Sequence, residues 1–252
     1  MTESIEALKG RIDAATGDEK LALARYLVES LPRHPLEEEW GIDSDTILSA
    51  IRRSSDLTRR GVRGIIAEAV FDRDVLPNIA PLGWKAVSIP PGDWPYDALL
   101  EKAGKSVRVQ IKLQRLEAGV PKRYYPKLFP EELFVVEVQK TRSGRKRVGL
   151  AGATEGKDLA TRPYRFGDFD ILAVNMHPAT HRWSDFRYTV ASWLLPRQAD
   201  SSLIEIFQPV PLATSAVWTD DLAICLEWFL GGEKRRVLDE PHIKLKLGIK
   251  KS

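Results

Sequence analysis

Apolar residues recur at helical spacing through the N-terminal part of the chain. Ile5, Leu8 and Ile12 lie three or four positions apart, which predicts a first amphipathic helix. The pattern breaks at Thr16-Gly17, restarts in the segment EKLALARYLVESL, and stops before Pro32. The N-terminus is therefore expected to form a helical hairpin.

Two more helices are predicted before the segments with the pattern of strands begin. The polar segment RHPLEEEWGIDSD is interpreted as a connector, and Asp43 or Ser44 would cap a third helix in DTILSAIRR. The segment RRGVRGIIAEAVFDRDVL predicts a fourth helix with Glu68 at the edge of its apolar stripe. The residues assigned to that stripe are Val62, Ile65, Ile66 and Ala69.

The remainder of the chain reads mainly as strands. Extended segments are predicted in GWKAVSIP, PYDALLE, SVRVQIKLQR, ELFVVEVQK, FDILAVNM and FRYTVASWLL. Thr219 is expected to cap a last helix, DDLAICLEWFL, which Gly231-Gly232 ends. Helix, mixed sheet and helix together predict an α/β fold with a three-layer core, divided into a helical segment, 1–56, and a larger domain, 57–252.

Composition and charge narrow the function classes only moderately. The chain has 252 residues, 43% hydrophobic and 29% charged, which is ordinary for a folded protein. No apolar run approaches the roughly 18 to 20 residues of a membrane span, and the N-terminus lacks a secretory pattern, so a cytoplasmic protein is expected. Cys225 is the only cysteine, which excludes an internal disulfide, and we interpret it as a core residue. A net charge of +3 permits binding to nucleic acid without arguing for it.

The strand SVRVQIKLQR alternates between apolar and polar positions. Because side chains alternate along a strand, its valine, isoleucine and leucine residues should enter the core, and Gln110 and Lys112 should share the opposite face. A short turn with Gly104 joins this strand to PYDALLE, so the two segments should pair antiparallel. That pairing is expected to bring Asp97 close to Gln110.

An acidic residue followed by an oxygen donor, one spacer and a lysine resembles the PD-(D/E)xK nuclease superfamily, with Pro95-Tyr96-Asp97 and Gln110-Ile111-Lys112 as the matching positions. The resemblance implies a restriction-endonuclease-like core with Mg²⁺ held by Asp97, the Gln110 amide oxygen and the Ile111 carbonyl. It also implies that Lys112 orients the attacking water and stabilises developing charge. Glu68 matches the position of an additional carboxylate in the superfamily and joins the catalytic and metal-binding set.

The sequence departs from the commonest superfamily pattern at two positions. Gln110 stands where a second acidic residue is usual, which is similar to QxK variants of the Mrr-type branch, and Tyr96 precedes Asp97. A competing assignment places the centre at Glu137, Gln139 and Lys140 in VVEVQK. No strand bearing an aspartate precedes VVEVQK within hairpin reach, so we interpret it as the next core strand, with Glu137 directed towards the site.

The region around DILAVN and W-x-D-F-R-Y resembles the downstream part of type II restriction endonucleases. This resemblance implies double-stranded DNA as the substrate, a homodimer, and contacts to phosphates or guanine edges by four arginines. These are Arg162, Arg165, Arg182 and Arg187.

Taken together, the resemblances imply an Mg²⁺-dependent endonuclease that hydrolyses the phosphodiester bonds of double-stranded DNA, as a type II restriction endonuclease does. Two other functions and several roles for the N-terminal segment stay open. The function could instead be that of a repair, structure-specific or modification-dependent nuclease, or of an inactive DNA- or protein-binding module on the same fold. The N-terminal segment resembles addiction-module component helices, and a packing, dimerising or DNA-contacting arm is expected.

Overall fold

The computed structural model describes residues 4–30, 32–125, 127–129, 132–139 and 163–238. The chain divides into two compact units, Met1–Arg59 and Arg60–Ser252. The boundary predicted between residues 56 and 57 lies inside one continuous helix, Asp56–Val70.

The N-terminal unit is helical. Asp43 accepts a hydrogen bond from the Thr46 N–H at 2.7 Å, as its predicted role as a helix cap requires. The segment taken as a connector contains a further short helix, which begins with a capping box between His34 and Glu37. It was missed because it has no apolar periodicity. The helices in the described part of this unit are α1 (Ile5–Ala14), α2 (Gly17–Ser30), α3 (Pro35–Trp40) and α4 (Ser44–Arg53).

The larger unit is built on a five-stranded mixed sheet of order β1-β2-β3-β7-β8. β3 and β7 run parallel, and the other neighbouring pairs are antiparallel. All five residues of β7 are buried, as expected for a central strand flanked on both sides. The strands are β1 (Lys85–Val87), β2 (Ala98–Lys102), β3 (Lys105–Leu113), β4 (Leu116–Glu117), β5 (Val120–Pro121), β6 (Leu133–Glu137), β7 (Ile171–Asn175), β8 (Phe186–Val190) and β9 (Phe207–Pro211).

A two-residue turn joins β2 to β3. Ala103 and Gly104 have φ values of 47° and 76°, the combination that a tight hairpin turn of type I′ requires. Lys102 faces Lys105 directly across the turn, and Ala98 faces Val109 at the far end. The hairpin register is therefore the predicted one, and it sets the position of the residue just before β2.

The helix before the sheet, α5 (Asp56–Val70), buries a different face from the one predicted. Its buried residues are Ala67 and Val70, followed by Phe71 in a short π-helical stretch, Phe71–Val75. Ile65, assigned to the buried stripe, is 64% exposed. The ring of Phe71 packs edge-on against Phe186 of β8, with centroids 5.8 Å apart, so the end of the helix sets the buried face.

The described part of this unit also contains the helices α6 (Leu76–Ile79), α7 (His177–Thr180) and α8 (Leu222–Leu230). Asp221 caps α8 by accepting from the Ala223 N–H at 2.8 Å, so the prediction of Thr219 as the cap was wrong. Cys225 in α8 is buried, as predicted. The α/β class with a central mixed sheet and a helical N-terminal region is confirmed, and it is consistent with a three-layer core.

β6 does not join the central sheet, contrary to the prediction that VVEVQK forms its next strand. It pairs antiparallel with β9, which the sequence analysis did not identify, in a separate two-stranded sheet. A bridge between Val136 of β6 and Gln114, the residue after β3, links β6 to the end of β3. The strand that pairs with β3 on that side is instead β7. The two strands run parallel, and parallel neighbours need a long connection, so they lie far apart in the chain.

Candidate functional site

Asp97 lies immediately before β2 and faces Gln110 of β3. The Asp97 N–H donates to the Val109 carbonyl at 2.9 Å, which continues the hairpin by one residue. Carboxylate oxygen Oδ2 of Asp97 accepts from the Gln110 amide nitrogen and, at 2.8 Å, from the Ile111 N–H. The structure thus brings the predicted acid and the predicted amide together.

Gln110 is buried to 1% exposure, although it occupies the polar face of β3. Its Nε2 donates both to Asp97 and, at 3.2 Å, to the Ile111 carbonyl. Its amide oxygen Oε1 is buried and accepts no hydrogen bond. A buried acceptor without a donor is costly, so Oε1 is an oxygen ligand that a bound cation or water would satisfy.

Glu68 and Lys112 lie within electrostatic reach of Asp97. Glu68 is half-buried on α5 and Lys112 is half-buried near the end of β3. The pKa of Glu68 is raised to about 7, first by burial and then by the negative charge of Asp97, and Lys112 opposes the shift. Burial also raises the pKa of Asp97, against the influence of Lys112 and of the hydrogen bonds from Ile111 and Gln110.

The pKa of Lys112 moves the other way. Burial lowers the pKa of its ammonium group, while Asp97 and Glu68 favour the charged form. The pKa values of the two carboxyls are raised and that of the lysine is lowered, so burial favours the uncharged form of all three groups. Such perturbed groups gathered at one place are typical of functional sites.

Tyr164 also belongs to this site, although sequence reasoning did not find it. The Lys112 Nζ lies 5.8 Å from the centroid of the Tyr164 ring. Burial raises the pKa of the Tyr164 hydroxyl, and Asp97 and Glu68 are among the charges that raise it further. Tyr164 stands in the loop before β7, far along the chain from β3, and no local pattern links the two.

The donor set fits a hard divalent cation. Asp97 and Glu68 supply carboxylate oxygens, and Gln110 Oε1 and the Ile111 carbonyl supply neutral oxygens, which are the ligand types of Mg²⁺. A cation would also favour the ionised forms of both carboxyls, whose pKa values burial raises. Within the part of the chain that the structure describes, no group of three His, Cys, Asp or Glu residues is placed to hold a metal, so any ligand set here needs these neutral oxygens.

The competing centre in VVEVQK is organised differently. Glu137 forms an ion pair with Arg115 and accepts from the Gln139 amide nitrogen. Lys140 lies outside the described residues. The Glu137 carboxylate is thus engaged in the second sheet, with no contact to Asp97.

The four arginines predicted to bind DNA have different surroundings. Arg162 lies outside the described residues, and Arg165 is exposed. Arg182 is also exposed and forms an ion pair with Asp185 at 2.7 Å. Arg187 is half-buried, and its guanidinium donates to the carbonyls of Phe186 and Leu212, which gives it a structural role in linking strands.

No protein-family model and no characterised protein matches the sequence. One solved structure matches, that of a bacterial homing endonuclease, I-Ssp6803I, at 16% identity and a TM-score of 0.33, covering 62% of this chain and 79% of the other. Among the described residues, no helix has the length and apolar character to cross a membrane.

Proposed function

We propose that this protein is an Mg²⁺-dependent endonuclease that hydrolyses phosphodiester bonds of double-stranded DNA, as a type II restriction endonuclease does. The observation that carries the proposal is the contact between Asp97 and Gln110 beside Lys112, which lies two residues further along the same strand. The Asp97 carboxylate and the Gln110 amide are in hydrogen-bond contact, and Lys112 acts on the Asp97 charge.

Each residue has a defined part in this reaction. Asp97, Glu68, Gln110 Oε1 and the Ile111 carbonyl would hold the cation, while the hydrogen bond from the Ile111 N–H keeps Asp97 oriented. Lys112 binds the scissile phosphate and orients the attacking water by donating hydrogen bonds. Because burial lowers its pKa, Lys112 is also better suited than an exposed lysine to exchange a proton with that water.

Mg²⁺ bound at these oxygens supplies a positive charge that offsets the charge developing on the phosphate and lowers the pKa of a coordinated water. Gln110 contributes no charge, so Asp97 and Glu68 carry the whole negative charge of the ligand set. Metal affinity should therefore depend strongly on pH around the pKa of Glu68, about 7.

Substrate and assembly follow from the same proposal. Arg165 and Arg182 are exposed and can approach DNA phosphates, whereas the guanidinium of Arg187 is engaged by the backbone. A homodimer would place two centres on the two strands of a palindromic site. Exposed apolar side chains on the N-terminal helices, such as Val28 at 75% exposure, support self-association through that unit.

Incubation with unmethylated phage DNA and Mg²⁺ tests the proposal. Discrete fragments that disappear with EDTA are expected. Cleavage only of methylated or branched DNA would favour a modification-dependent or repair nuclease in place of a restriction enzyme. Cleavage that persists with EDTA would contradict the metal-dependent centre.

A second function is favoured by one contact. The Gln110 amide donates to Asp97, so that in this state it occupies a carboxylate oxygen that a metal would otherwise use. A chain that kept the fold but lost catalysis would bind DNA and leave it uncut. Retention of DNA in a gel, without cleavage under any metal condition, would establish this reading.

A further inference from the structure

The ring of Tyr164 is fixed in place by its surroundings. It is 4% exposed and packs edge-on against Phe169, with centroids 5.3 Å apart and planes at 88°. Its carbonyl accepts from the Ile204 N–H at 2.8 Å. The residues on either side, Pro163 and Arg165, form bridges to Gln139 and Leu203.

Lys112, on β3, lies over the ring of Tyr164. Its Nζ lies 5.8 Å from the ring centroid, within the range in which the negative face of an aromatic ring attracts a cation. Among the described residues, Lys112 Nζ makes no hydrogen bond and no ion pair of direct-contact length, although the charges of Asp97 and Glu68 act on it. Lysine has a flexible four-carbon side chain, so a fixed contact to its ammonium group restricts where the charge can be.

We propose that Tyr164 is a positioning residue, whose ring face holds the Lys112 ammonium at the site formed with Asp97. This inference rests on the proposed function for its catalytic consequence, but the contact itself does not. The part of Tyr164 in the reaction is indirect. It acts through Lys112, by reducing the number of orientations that the lysine must lose when the phosphate binds.

The first test observes the contact directly. Lysines labelled with ¹³C at the ε-carbon are followed by NMR, and the Lys112 signal is assigned from its loss in Lys112→Arg. A proton above a ring face is shifted upfield, so the Lys112 ε-CH₂ signal should lie upfield in the wild type and in Tyr164→Phe, and return to the ordinary lysine position in Tyr164→Leu. Lys102, which lies 5.8 Å over the Trp84 ring, provides an internal control that should not change in either variant.

The second test measures the consequence for cleavage. Tyr164→Leu should lower kcat about tenfold with an unchanged KM for DNA, and Tyr164→Phe should restore it, because the ring and not the hydroxyl makes the contact. A Tyr164→Leu variant that keeps the wild-type kcat, or a Tyr164→Phe variant that loses as much as Tyr164→Leu, would overturn the inference.

Because Tyr164 is buried, the leucine variant could fail to fold, and a shape-preserving series avoids this problem. Phenylalanine and its mono-, di- and trifluorinated analogues, placed at position 164, withdraw electron density from the ring face without removing the ring. The value of kcat and the position of the Lys112 ε-CH₂ signal can then be measured on folded protein. We expect kcat to fall stepwise as fluorination increases. A flat series would overturn the inference, whereas an upfield Lys112 signal in a wild type that cuts no DNA would leave the contact standing and refute the proposed function alone.

Discussion

Asp97 accepts a hydrogen bond from the side-chain amide of Gln110, its partner across the β2–β3 hairpin. The same carboxylate oxygen accepts from the Ile111 N–H, so Asp97 is held by the strand that carries the other site residues. The neutral Gln110 amide orients the Asp97 carboxylate without neutralising its charge. The amide oxygen Oε1 of Gln110 accepts no hydrogen bond. The response of the site to substitution and to pH therefore depends on this contact and on the charged groups around it.

Replacing Gln110 by Glu should convert the centre into one with a second carboxylate in the strand. Without metal, the hydrogen bond to Asp97 is lost and two like charges meet, so the free energy of unfolding should fall. With Mg²⁺, the added charge should tighten binding, as measured by isothermal titration calorimetry. Gln110→Ala is the matched control, and tighter Mg²⁺ binding by the alanine variant would contradict the ligand role of this position.

Replacing Lys112 by Ala should lower the cleavage rate by roughly a hundred- to a thousandfold, because a positioned donor to the developing charge is lost. DNA retention in a gel should change little. Lys105→Ala, at the exposed start of the same strand, should cut normally. Unchanged cleavage by Lys112→Ala would instead direct attention to Glu137.

The stability of the metal-free protein should depend on the protonation of Glu68. Its pKa rises from 4.5 to about 7 on folding, so the folded chain binds this proton more tightly than the unfolded chain does. The resulting stabilisation is complete below the ordinary carboxyl pKa and is lost as the pH rises through about 7. Asp97, whose pKa is also raised by burial, contributes in the same direction.

Chemical denaturation across this pH range measures the effect. Glu68→Gln should flatten the decline, and saturating Mg²⁺ should abolish it in the wild type because the cation favours the ionised carboxyls. An equally steep decline in Glu68→Gln would show that Glu68 does not titrate in this range.

Arg108 should contribute to stability and not to chemistry. Its backbone N–H, Nε and Nη2 all donate to Asp170, which is 12% exposed, and Nη1 donates to the Gly167 carbonyl at 2.7 Å. Arg108→Ala should cost about 2 kcal/mol of unfolding free energy, below the value for a fully buried pair because solvent screens the arginine. Arg182→Ala, which removes an exposed ion pair, should leave stability nearly unchanged, and equal losses in the two variants would contradict this ranking.

Self-association through the N-terminal helices should be sensitive to a charge on their apolar surface. Val28→Glu should shift the sedimentation coefficient from that of a dimer to that of a monomer without lowering the melting temperature, since Val28 is exposed. Glu6→Ala, on the same unit, should remain dimeric. A wild type that sediments as a monomer at all concentrations would refute the homodimer.

The local part of this structure was predictable from the sequence. Alternation in β3 and the Gly104 turn fixed the pairing that joins Asp97 to Gln110, because both signals act between residues close in the chain. The helices α1, α2 and α4 follow from periodicity and capping for the same reason.

What escaped prediction depends on contacts between distant segments. VVEVQK has the composition of a core strand, but its sheet is decided by β9, whose sequence FQPVP carries two prolines and gives a weak strand signal. Ile65 appeared buried because the helical pattern was aligned on isoleucines, whereas Phe71 and its contact with Phe186 determine which face turns inward. Tyr164 reaches Lys112 only because β7 lies parallel to β3.

The number of residues in the turn at Ala103 and Gly104 determines whether Asp97 lies opposite Gln110. The paired residues run from Lys102 and Lys105 beside the turn to Ala98 and Val109. The next step along both strands places Asp97 opposite Gln110. A single-codon insertion or deletion in that turn would move every later partner to the opposite side of the sheet and carry the acid into the apolar layer, with almost no change in composition. Length variation, more than substitution, is the heritable change to which this hairpin is most vulnerable.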